Sequence, residues 1–193
     1  MRRIKLITLI TIILALTLTT QAQQLKIDRN QLYLFLATTA TSTMQKELDE
    51  ASSKGFRVVL GSPTTAGEMT IFLERSAQPP ETFKYRVLAT TLTSTMEKEL
   101  NEAGAEGFRL VPQIVMAKKQ VIGSEIVTVL ERSPRSDKHY EYKLLATNLT
   151  STMEKEISQA QSLGFDLVAM ISRVEHIVIL EREVPNGIPS SRR

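Results

Sequence analysis

The stretch that decides the fold opens with Tyr85-Arg86-Val87-Leu88-Ala89-Thr90, continues through Thr95-Met96-Glu97-Lys98-Glu99-Leu100 and stops at Gly107-Phe108. Its first six residues alternate, with Tyr85, Val87 and Ala89 on one side, which is the period of a strand. Met96, Leu100 and Ala103 then fall at helical spacing, with Glu97, Lys98 and Glu102 on the other side. Ser94 followed three residues later by Glu97 has the spacing of a capping box, in which the hydroxyl takes an orphan N–H at the helix start. Gly107 suits the left-handed position that ends a helix, and Phe108 is placed to fold back on the last turn.

The same string occurs twice more. Tyr33-Leu34-Phe35-Leu36-Ala37-Thr38 and Tyr142-Lys143-Leu144-Leu145-Ala146-Thr147 repeat the strand, and Thr43-Met44-Gln45-Lys46-Glu47-Leu48 and Thr152-Met153-Glu154-Lys155-Glu156-Ile157 repeat the helix. Gly55-Phe56 and Gly164-Phe165 repeat the stop. Each copy closes on Leu-Glu-Arg, at Arg75, Arg132 and Arg182. Such self-similarity outranks every other signal in a sequence. Tyr to Met is eleven residues in all three copies and Met to Gly is eleven again, whereas Gly to the closing Arg is twenty, twenty-five and eighteen. Length varies only after the Gly-Phe pair, so a loop is expected there.

Two more strands follow each helix, over 108–116 and 126–130 in the second copy. Ile177-Val178-Ile179-Leu180 is apolar on both faces, so the last strand belongs inside a sheet. Each copy is therefore β-α-β-β. The crossover makes strands one and two parallel, the hairpin sets strand three antiparallel, and the order is 1-3-2. The fold class is α+β, in three tandem repeats over 32–76, 84–133 and 141–183, after a short segment 23–31 and before a disordered tail 184–193. One face of each sheet takes the helix and the other needs a neighbour. The sheets are thus expected to pack around a shared core with pseudo-threefold symmetry.

Ahead of the repeats, Arg2, Arg3 and Lys5 precede an uncharged, largely apolar run over 6–18, and Thr20-Gln21-Ala22 supplies small residues for cleavage. That run is too short for a spanning helix. Residues 1–22 read as a signal peptide cleaved after Ala22, which places the protein in the periplasm or outside the cell, with no membrane contact once the signal is removed. Three of the 24 basic residues lie in that segment, so the remainder balances at 21 Lys+Arg against 21 Asp+Glu. The net charge therefore gives no footing for nucleic-acid binding. With no cysteine in the chain, disulfides, thiolate nucleophiles and Cys-ligated metals are excluded.

The pattern Tyr-x-x-Leu, the helix with Met-Glu-x-x-Leu-Asn-Glu at Met96–Glu102, Gly-Phe, a hairpin and Leu-Glu-Arg resembles the bacterial domain of unknown function 4177 family. Its members usually carry Gly-Trp where this chain has Gly-Phe. The resemblance implies a small βαββ fold, and it implies no activity and no functional residues.

No catalytic, cofactor-binding or metal-ligating set stands out. Ser42, Ser94 and Ser151 are read as helix caps and are also candidate anion contacts, since hydroxyls and free N–H groups meet at a helix start. Tyr33, Tyr85 and Tyr142 are the candidate lining of a pocket between repeats. Met44, Met96 and Met153 read as core, and the Glu-Arg endings as charges that finish a strand at the water boundary. His139 and His176 have no repeated equivalent and no second ligand nearby, whereas a metal site needs three or four converging ligands. The expected function is that of an exported, non-enzymatic interaction module of unknown protein or small-molecule partner. Its contacts would run through the variable loops 61–67, 118–124 and 172–175, because binding residues concentrate in loops on a fixed scaffold. The alternative is a ligand-binding or sensing protein with a pocket between repeats.

Overall fold

Unit 1 consists of β1 (Tyr33–Thr38), α1 (Thr41–Ser53), β2 (Phe56–Pro63) and β3 (Met69–Arg75). Unit 2 repeats it as β4 (Lys84–Thr90), α2 (Thr93–Ala105), β5 (Arg109–Lys119) and β6 (Ser124–Arg132). Unit 3 is β7 (His139–Thr147), α3 (Thr150–Ser162), β8 (Asp166–Ser172) and β9 (His176–Val184). The computed structural model describes residues 25, 27, 28, 30–76 and 81–185. The expected signal peptide, part of the first linker and most of the tail lie outside the described residues.

Every unit has the strand order read from the sequence: β1-β3-β2, β4-β6-β5 and β7-β9-β8, with the central strand antiparallel to both neighbours. The doubly apolar strand takes the centre because only there are both its faces covered. The helices end as expected. Gly55, Gly107 and Gly164 have φ of 82°, 85° and 83°, where a side chain would be strained. The amides of Phe108 and Phe165 reach back to the carbonyls of Ala103 and Ala160.

The helix starts differ from the sequence reading. All three helices begin two residues earlier, so Ser42, Ser94 and Ser151 are the second helical residues, they are exposed, and no side chain caps the helix start. The turn into each helix is instead held by the threonine that ends the preceding strand. The Oγ1 atoms of Thr38, Thr90 and Thr147 accept from the amides of Ala40, Leu92 and Leu149, which are ST-turns.

Length variation is also divided differently. The hairpins span 64–68, 120–123 and 173–175, but each second strand also carries a bulge, between Val58 and Leu60, Leu110 and Val115, and Leu167 and Ala169. The bulge in β5 is the longest, and its Val111 and Ile114 are buried in a core shared with unit 1. A bulge bends its strand and re-aims side chains, and here the extra residues join two units.

Cores are shared between units, in sequence rather than about one threefold centre. The first joins Leu34, Leu36, Met69, Ile71, Leu73 and α1 to Tyr85, Val127 and Val129 of unit 2. The second joins Ile126, Leu130 and α2 to Tyr142, Ile177 and Ile179 of unit 3. The third lies within unit 3. None of these three cores draws on units 1 and 3 together. The reason is the alternation of the central strand: Ile126 and Leu130 face their own helix while Val127 and Val129 face the helix before, so each helix is a wedge between its own sheet and the next. Met44 and Met96 are wholly buried in these wedges, and Met153 is partly covered.

The wedge is tightest between α2 and β7. Gly104 lies so close to β7 that a methyl added there would run into the Tyr140 carbonyl. On an isolated helix Gly to Ala gains about 1 kcal/mol. The Gly104→Ala variant is expected to lose stability instead, seen as a lower urea midpoint, and a gain would show that the two elements are not in contact.

Candidate functional site

The seams between units are built from the same parts twice. In β2, the N–H of Val58, at the bulge, donates to the Tyr85 hydroxyl of unit 2 at 2.9 Å, and the N–H of Leu110 donates to the Tyr142 hydroxyl of unit 3 at 2.8 Å. Burial pushes both phenols well above the ordinary tyrosine range, and at Tyr142 the neighbouring Glu181 carboxylate adds to it. Both therefore stay neutral, as a hydrogen-bonding hydroxyl must. The Tyr142 hydroxyl in turn donates to Glu181 at 3.0 Å.

Helix side chains complete the seam by bonding the free edge of the next sheet. Gln45 donates to the Tyr85 carbonyl at 3.0 Å and accepts from the Val87 amide at 2.8 Å. Asn101 does the same with both backbone groups of Tyr142, and Glu97 accepts from the Leu144 amide at 2.7 Å. Gln45 and Glu97 are the residues that a capping box would have turned back on their own helices. Ser52 donates to the Phe83 carbonyl where α2 has Gly104. An edge strand left bare invites foreign pairing, and here α1 and α2 satisfy β4 and β7.

The repeated Leu-Glu-Arg endings divide into two tasks. Arg75, Arg132 and Arg182 donate to the carbonyls of Lys54, Glu106 and Leu163, just past their own helices, and lie over Phe56, Phe108 and Phe165. The glutamates reach across instead. Glu131 pairs with Arg57 of unit 1 at 2.5 Å, and Glu181 with Arg109 of unit 2 at 2.8 Å. Each of those arginines also lies over an aromatic ring of the next unit, Phe83 or Tyr140. A fourth contact repeats at the hairpins: Lys118 donates to the Thr39 carbonyl and Arg173 to that of Thr91.

A cleft of about 1030 Å³ opens at the seam of units 1 and 2, lined among others by Arg57, Phe83, Arg109, Gln113, Glu131 and Arg135. Its cations are engaged: Arg57 with Glu131, Arg135 with Glu81, and Arg109 with Glu181. None of the three tyrosines lines it. Tyr85 and Tyr142 are buried in the seams and Tyr33 is 58% exposed on the outer face of sheet 1. The serines do not converge on the cleft either, since each opens a different helix. Among the described residues no cluster of His, Asp or Glu could hold a metal ion, and no helix is long and apolar enough to cross a membrane.

The periodicity of Gln45, Asn101, Glu131 and Glu181 matches a solvated face, so nothing local marks them as seam residues. The one available signal was that Phe83 and Tyr140 stand at the same place before the repeated tyrosine, where unit 1 has Gln31.

No family model, no curated protein and no solved structure matches the chain.

One substitution made in three places reads these seams. Tyr85→Phe and Tyr142→Phe each leave a buried amide without its acceptor, which costs about 1–3 kcal/mol. Tyr33→Phe, at an exposed position, should stay within about 0.5 kcal/mol of the parent. Chemical unfolding of the three variants checks the contrast, and three equal losses would refute it.

Proposed function

We propose that the chain is an exported, non-enzymatic interaction module that meets its partner through the tips of its hairpins, on a scaffold of three βαββ units each resembling the domain of unknown function 4177 family. The observation behind this reading is that the tips carry apolar residues in full contact with water. Val121 is 102% exposed, and Ile122 and Val174 are each 90% exposed. Covering a side chain of this size is worth about 1.5–3 kcal/mol, which the isolated chain forgoes at three places.

The tips also form one edge. A methyl on Gly67, in the first hairpin, would lie 2.8 Å from the Lys119 carbonyl beside the second. Arg173, in the third, donates to the Ser124 carbonyl at 3.0 Å. Lys118, almost wholly buried, pairs with Glu125 at 2.7 Å while holding Thr39. Breaking one partner of such a pair is costly because it leaves a buried charge, so the base of the second hairpin is firm beneath its exposed tip. Firm bases and apolar tips suit a pre-organised contact surface.

The cleft supports a second reading, a small anionic ligand that displaces Glu131 or Glu81 from Arg57 or Arg135. Small carboxylates and phosphate titrated against the amide signals of Val58, Leu110 and Gln113 test it, and silence at all three removes it.

For the first reading, Val121→Ser, Ile122→Ser and Val174→Ser are combined and partners are captured by cross-linking from the compartment to which the protein is exported. Stability should hold, since fully exposed side chains contribute little, while the captured set shrinks. An unchanged set would sink the hairpin reading.

A further inference from the structure

Among the described residues, sheet 1 is the sheet with no helix on its outer face. The positions that unit 2 covers there with Tyr85, Val87 and Val129, Val87 in part, are held in unit 1 by Tyr33, Phe35 and Phe72, exposed by 58%, 51% and 44%. The Phe35 and Phe72 rings meet at a tilt of 49° with centroids 4.7 Å apart, and Leu60 extends their row across the sheet. The edge of β1 is correspondingly open. The carbonyl of Tyr33, equivalent to the one that Gln45 bonds on Tyr85, is held by the side chain of the neighbouring Gln31 at 2.7 Å.

We infer that this face is a docking socket for a helix-and-bulge surface of the kind that units 1 and 2 present to their successors, borne by a protein other than this chain. The two internal seams specify the occupant's chemistry. Its helix carries Gln or Glu directly after its first buried apolar residue, for the Phe35 amide, and a small residue seven places further on, as Ser52 and Gly104 are. Its bulge offers an N–H to the Tyr33 hydroxyl, and an arginine just after the Gly-aromatic stop meets Glu74, as Arg57 meets Glu131 and Arg109 meets Glu181.

The chain's own third unit is the obvious candidate, and it is barred. Where the other units have arginine it has Asp166, which would face Glu74 with like charge. Where they have Ser52 and Gly104, α3 has Gln161, too long for a helix that must lie against a strand. Without these two residues the exposed end of unit 3 and the open face of sheet 1 would fit head to tail, and a heterologous contact of that kind propagates into rings or fibres.

The probe is therefore this chain with the bar removed. Full-length Asp166→Arg/Gln161→Ser protein and the parent are compared by sedimentation over a range of concentrations. The parent should show no head-to-tail association, while the variant's weight-average mass rises by about twofold or more, and adding Phe35→Glu should return it to the parent's value. Asp166→Arg alone, at an exposed position, serves if the double variant melts early. A variant no heavier than the parent overturns the socket. Association of the parent that Phe35→Glu abolishes overturns the bar and makes a second copy the occupant.

Discussion

A backbone N–H at a bulge in one unit bonded to a buried phenol of the next is the interaction on which this architecture rests. Both amides sit on an outer strand of their sheet, next to a bulge, and a buried amide must find an acceptor or carry a penalty of about 1–3 kcal/mol. Val58 and Leu110 find it in Tyr85 and Tyr142. The bond has one geometry, so it fixes the register between sheets. With the register fixed, the helix between them is seated, and Gln45 or Asn101 can reach the edge strand. Non-directional apolar burial supplies most of the stability of such a seam, but it does not choose among the many ways to slide one sheet over another. The tyrosine does.

That dependence explains why units so small persist without disulfides. A fifty-residue unit buries too little surface to be secure by itself. By wedging α1 between sheets 1 and 2, and α2 between sheets 2 and 3, the chain uses each helix twice. Only α3 is used once, and its core is the smallest of the three.

Much of this was legible in the sequence, and the part that was not has a common cause. Strand, helix and stop at Gly107-Phe108 follow from periods and from the left-handed glycine, which are local properties. The order 1-3-2 followed from the two apolar faces of Ile177–Leu180. The capping boxes did not survive, because Ser94 and Glu97 have the same spacing whether the carboxylate turns back to its own helix or out to Leu144 of another unit. The tyrosines were expected at a pocket; Tyr85 and Tyr142 instead fill seams and Tyr33 lies exposed on sheet 1. Glu131 and Glu181 were expected at the water boundary, but Glu181 is buried and Glu131 largely covered, and their partners are 74 and 72 residues away. Contacts at that separation leave no trace in a single sequence.

Differences among repeats turn out to mark position in the stack. Gln31 replaces the aromatic of Phe83 and Tyr140, and Asp166 replaces the arginine of Arg57 and Arg109. Each change falls on a side that packs against no other of the three described units. A repeat array needs terminal units that stop growth, since nearest-neighbour packing has no natural end. At the C-terminal end the stop is electrostatic and steric, through Asp166 and Gln161. At the N-terminal end Gln31 covers one carbonyl of β1, but the aromatic row of Tyr33, Phe35 and Phe72 is left bare. The two ends are therefore not equivalent: one is closed by charge, while the other keeps the apolar half of a seam whose complement none of the three described units provides.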